Sequence, residues 1–108
     1  MLGGMEPATA LGFTTMARGL GAAARRHGLV VPAFRSPPAV ADVPRTLRRR
    51  ADGFAVVAVR LRGRSSAEVA ADMTDGVLLA NGVREREAAE LRPVLLAAAL
   101  GEVGAEAA

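Results

Sequence analysis

Phe54-Ala55-Val56-Val57-Ala58-Val59-Arg60-Leu61-Arg62, continuing into Gly63-Arg64-Ser65-Ser66-Ala67-Glu68, is the stretch whose reading decides the fold. Its first nine residues predict a β-strand, because branched apolar side chains suit a pleated, half-buried surface. Toward its end Val59 and Leu61 alternate with Arg60 and Arg62. One face therefore meets a core and the other meets solvent or a partner. Ser65 with Glu68 three residues on forms a capping box, in which each side chain accepts from the other residue's backbone amide. A helix follows over about 66–80 and stops at Asn81-Gly82, both residues that suit a left-handed stop. Val69, Met73, Val77 and Ala80 form its apolar stripe, and Glu68, Asp72 and Asp75 an acidic one.

Upstream, Asp52-Gly53 is a turn signal preceded by Thr46-Leu47-Arg48-Arg49-Arg50. That run is expected to pair with the strand as an antiparallel hairpin, with a short basic helix after Pro44 as the alternative. Pro32, Pro37 and Pro38 argue against a regular central strand, and Ser36 precedes a proline, so 32–44 reads as an irregular connector. A rigid connection is preferred there over a polyproline ligand. Leu29–Val31 reads as a short extended segment. From Pro7 to His27 the spacing is helical, with Phe13, Met16, Ala17, Leu20, Ala23, Ala24 and His27 on one stripe and Gly28 as its left-handed end. Gly12, Gly19 and Gly21 require that helix to have tertiary support or close backbone contact.

Downstream, Arg84 to Leu100 is helical again, with Pro93 kinking or dividing it. The expected fold class is α+β: an N-terminal helix, a small antiparallel β-hairpin and two C-terminal helices. One domain spans 7–100, between a flexible start at 1–6 and a frayed tail at 101–108. Met5 and Met16 are alternative starts to Met1.

Composition allows one domain in 108 residues, with an apolar fraction of 51% of which 24 residues are Ala and only three are aromatic. Small side chains each remove little area from water, at about 25 cal/mol per Å². A thin core of this kind favours completion by a second subunit. Leu78-Leu79 and Val94-Leu95-Leu96 supply more apolar positions than one face per helix needs, which points to a homodimer. All fourteen basic residues are Arg, and Lys, Ile, Tyr, Trp, Gln and Cys are absent. That pattern fits a high-GC bacterial genome, and it lowers the weight of the high isoelectric point. Without Cys there is no disulfide or thiol chemistry. No run approaches the ~18 apolar residues of a membrane span and no basic-then-apolar leader opens the chain, so the expectation is a cytoplasmic protein with no membrane partner.

The charges are divided. Residues 1–64 hold eleven Arg against three carboxylates, +8, and 65–108 hold three Arg against eight carboxylates, −5. Arg45, Arg48, Arg49, Arg50, Arg60, Arg62 and Arg64 are the candidate binding surface, since guanidinium forks suit carboxylate and phosphate. The competing reading turns them onto Glu68, Asp72 and Asp75 as internal ion pairs. Those three carboxylates at i, i+4 and i+7 are read as a solvated or Arg-paired stripe, because one helix gives poor octahedral geometry to Mg²⁺. His27 has no Cys or Tyr to partner it, and Ser36, Ser65 and Ser66 lie in no nucleophile motif. Gly19-Leu20-Gly21 lacks the third glycine and preceding strand of a phosphate loop.

The order of an Arg-alternating strand, a capped helix, a Gly turn and a second helix over 54–100 resembles the ribbon-helix-helix DNA-binding families. The resemblance implies that a dimer would pair these strands and read bases with Arg60, Arg62 and Ala58. Pro93 within the second helix, and the hairpin signal beside the pairing edge, depart from that pattern, and no family is assigned from it.

The sequence thus predicts a small non-enzymatic binding or regulatory protein. It would be a homodimer that presents basic Arg residues to an acidic partner protein, with no cofactor, metal or small-molecule ligand. The alternatives are a nucleic-acid-binding protein using the Arg45–Arg64 surface, and a small enzyme using His27 or the acidic stripe.

Overall fold

In the computed structural model the described residues are 7–35, 47–49, 55–61 and 63–107, with side chains placed for 12–35, 56–61 and 63–101. The elements run α1 (Pro7–Arg26), β1 (Ala33–Arg35), β2 (Leu47–Arg49), β3 (Ala55–Ala58), α2 (Ser66–Ala80) and α3 (Glu85–Ala107). Helices dominate. α2 lies on the small sheet, packed on β3 and β2, and α1 packs on α2 and α3.

The expected small antiparallel hairpin is corrected. The sheet order is β1-β3-β2, and the pair that defines it is parallel: Ala33, Phe34 and Arg35 stand beside Val56, Val57 and Ala58. Val59 N–H continues this ladder to the Arg35 carbonyl at 2.8 Å. Three residues of β2 lie antiparallel along the other edge of β3, and the Asp52-Gly53 turn expected to join them falls outside the described residues. The expected irregular connector over 32–44 is corrected at 33–35, which form β1, and its remainder from 36 to 44 lies outside the described residues. A strand of three residues fits between the prolines because Pro32 precedes the ladder and β1 is an edge strand, where a missing amide costs little. With β1 and β2 on either side, β3 has no open edge, so the strand pairing between subunits that a ribbon-helix-helix dimer needs is blocked.

The core is built from the expected stripes and more. Met16, Leu20, Ala23 and Ala24 of α1 are buried, as are Val69, Met73 and Val77 of α2 and Val57, Val59 and Leu61 of the β3 segment. His27 leaves its stripe and is exposed, because the last turn of α1 runs past the core. Two glycines permit close approach. Gly21 faces the Val31 side chain, and a Cβ at Gly76 would lie 2.6 Å from Val57 Cγ1. Gly76 is therefore where α2 seats on the sheet.

The helix ends divide between local and distant partners. Ser65 and Glu68 form the complete capping box, and Gly28 ends α1 with φ +74°. At the end of α2 the left-handed residue is Gly82 alone, with φ +61°. Asn81, expected to share that role, has φ −97° and uses its side chain as a clamp. It accepts from Val30 N–H at 2.8 Å and donates to the carbonyls of Val30 and Val77, both at 2.8 Å. Pro93 lies within α3 without dividing it. Pro93 and Ala89 are both exposed, so the carbonyl deprived of its amide lies on the solvent side.

Candidate functional site

Burial along the β3 segment alternates: Val57, Val59 and Leu61 are buried against the helices, whereas Val56 and Ala58 are half-buried and Arg60 is exposed. The parallel register sets Arg35 beside Ala58, and Arg35 is exposed while Phe34, beside buried Val57, is half-buried. Arg35 and Arg60 therefore share the outer face of the sheet, away from the helices. On the other edge the antiparallel register sets Arg48 opposite Val56 and Arg49 opposite Ala55. Three strands thus bring arginine positions together over a few residues of backbone. This follows from strand pairing, not from nearness in sequence.

Arg64 has a different use. Its guanidinium donates to the Asp72 carboxylate at 2.6 Å and stands 3.7 Å from Glu68. Asp72 is only 6% exposed, so this pair is shielded from solvent and is a structural tie between the end of the sheet and α2. Glu68 is held below the usual glutamate range by the Ser65 backbone amide first, then by the Ser65 hydroxyl, with a smaller contribution from the nearby Arg64 charge. Asp75 accepts from Arg92 of α3 at 2.8 Å. Arg64 and Arg92, from different parts of the fold, thus both pair with the acidic stripe. Among the described residues no three His, Cys, Asp or Glu side chains converge as a metal site.

A cleft of about 620 Å³ opens between α2, the start of α3 and β3. Its walls are apolar at Val57, Leu78, Leu79, Val83 and Ala88, and the Asp75–Arg92 pair and Glu85 also line it. His27 is at the far end of α1 and does not line this cleft. No helix among the described residues is long and apolar enough to cross a membrane.

Of the sequence-predicted surface, Arg60 is exposed, Arg48 and Arg49 are placed by the backbone of β2, and Arg64 is turned to Asp72. Arg45, Arg50 and Arg62 lie outside the described residues. The internal-pairing reading holds for Arg64, and the partner it missed for Asp75 is Arg92. Arg35 was missed altogether. Its only sequence signal is the short alternation Ala33-Phe34-Arg35, which the surrounding prolines outweigh. In comparisons with protein-family models, curated proteins and solved structures, the chain matches none.

Proposed function

We propose that the chain is a non-enzymatic binding protein that presents the outer face of its sheet to an acidic partner protein. The observation that supports this reading is the register that brings exposed Arg35 beside Ala58, two residues from exposed Arg60, with Arg48 across the same strand. Guanidinium forks on a flat sheet face suit surface carboxylates, and charge of one sign on one face accelerates encounter with a partner of the other sign. A homodimer fits the same reading. Leu79 and Val94 remain 61% and 46% exposed after the core has closed, leaving apolar side chains on α2 and α3 for a second copy.

The test uses two fluorescent probes, a polyglutamate peptide and a DNA duplex of random sequence, with Arg35→Glu/Arg60→Glu as the control. Polyglutamate is expected to bind, to weaken as salt rises, and to be lost in the control. Duplex binding with no polyglutamate binding would replace the acidic protein by nucleic acid, with affinity falling by about 0.9 log unit per log salt for each phosphate neutralised. Failure of both probes at low salt would overturn the basic-face reading. Sedimentation at micromolar concentration tests the dimer separately, and a strict monomer would remove it.

A further inference from the structure

Asn81 is the one asparagine of the chain, and Gly follows it. An Asn-Gly pair is the dipeptide most open to spontaneous deamidation, since glycine has no side chain to shield the backbone nitrogen that attacks. In this fold the same asparagine links the end of α2 to the segment leading from α1 into β1 through its side chain. Its Oδ1 accepts from Val30 N–H, while Nδ2 donates to the carbonyls of Val30 and Val77. The attacking group is also tied, because Gly82 N–H donates to the Leu79 carbonyl at 3.1 Å.

We propose that Asn81-Gly82 is a modification site that works as a one-way switch: deamidation releases the Val30 segment from α2, and the clamp itself sets how fast that happens. In the reaction the Gly82 nitrogen gives up its proton and bonds to Asn81 Cγ. The Cγ–Nδ2 bond breaks and ammonia leaves, forming a succinimide. Water then opens the ring to an aspartate or isoaspartate, with no oxidant or reductant involved.

The product cannot hold the clamp. A carboxylate accepts and does not donate, so both bonds from Nδ2 are lost and the new negative charge faces the Val30 and Val77 carbonyls. It also sits at the C-terminal end of a helix, where the backbone already presents partial negative charge. Val30 is 74% exposed and contributes little burial, so once the clamp opens little apolar packing holds that residue in place. The core of α2 and α3 does not depend on these bonds. The effect is centred on Val30 within 29–35, because Leu29, Val31 and Phe34 also pack on the core, and it holds whatever the sheet face binds.

Reaction requires the side chain to leave Val30 and Val77, so the folded chain reacts only during local opening. The experiment ages the full-length protein at neutral pH and 37 °C, folded and in guanidinium chloride. The species that gains one negative charge is separated by ion exchange and located at residue 81 by peptide mapping. The folded chain is expected to react at least about tenfold more slowly than the unfolded one, in proportion to the fraction of time the clamp is open. In the separated product, amide hydrogen exchange is expected to rise at 29–35 while α3 stays as protected as in fresh protein. Equal rates in the two conditions would overturn the control by the clamp. No charge gain in the folded protein over weeks, or a product that exchanges like fresh protein at 29–35, would overturn the switch.

Discussion

The two halves of α2 are held by different physics. At its N-terminal end Ser65 and Glu68 satisfy each other's backbone amides across three residues, at 2.9 and 3.2 Å, on an exposed turn. At its C-terminal end Gly76 lies against Val57 and Asn81 reaches back 51 residues to Val30. The first end finds its side-chain partners within three residues, whereas the second adds a distant partner, Val30, to its local ones. A local cap is worth about the same in any protein, whereas a seat on a neighbour is worth whatever that neighbour's packing makes it.

The C-terminal half should therefore be the more sensitive. Gly76→Ala is expected to have the largest effect. In an open helix this change gains up to ~1 kcal/mol. Here the added methyl meets a β-branched side chain across a packed interface, and a net loss of about 1–3 kcal/mol is expected by chemical denaturation. A gain in stability would mean that α2 does not seat on β3 as described. Gly101→Ala is the matched control, because nothing lies within 4 Å of a Cβ there, and it should be neutral or stabilising.

Asn81→Ala comes next. It removes three hydrogen bonds but leaves the Val30 groups near solvent, so about 1–2 kcal/mol is expected, with proteolysis and hydrogen exchange rising first at 29–35. Ser65→Ala should cost about 1 kcal/mol, the ordinary worth of a lost N-cap. If it costs more than Gly76→Ala and Asn81→Ala, the contrast between the halves is reversed.

The smallest effect is the pH dependence of the cap. Glu68 is depressed in the folded chain, so its contribution is present above the unfolded glutamate pKa and is lost as pH falls through the lower folded value. Glu68→Gln keeps an acceptor for the Ser65 amide and removes the titration. The melting temperatures of wild type and variant should therefore differ most near neutrality and converge on acidification. Parallel curves through the acidic range would place the cap's stabilisation outside the carboxylate.

Much of the helical architecture was legible. α1 and α2 occupy the stretches that periodicity, Gly28 and the capping box assign to them, because each signal acts within about one helical turn. The sheet was not. Ala33-Phe34-Arg35 is too short to show a period, and nothing in those residues says that they run parallel to 56–58, since a parallel partner is selected across a long connection and not by a turn. Asp72 was placed correctly on an acidic stripe read as solvated or Arg-paired, and the Arg pairing holds, but its burial was not legible. Its burial arises because Arg64 is delivered beside it at the exit of the sheet, so the pair enters the interior together. Thr74 Oγ1 is buried with no hydrogen-bond partner among the described residues, and nothing in the structure explains it.

The candidate surface divides in the same way. Arg60 was legible because its alternation with Val59 and Leu61 is a property of one extended strand. Arg35 was not, because its place beside Ala58 exists only once β1 and β3 pair. The sequence by itself determined where α1 and α2 begin and end and which side of the long strand is apolar. These depend on groups a few residues apart, whose geometry the backbone imposes. Only the tertiary structure decided which arginine positions share the outer face, that Arg64 is tied to Asp72, and that a lone asparagine would hold two distant segments. Those outcomes depend on which surfaces meet, and surfaces far apart in the chain meet only when the whole core has formed.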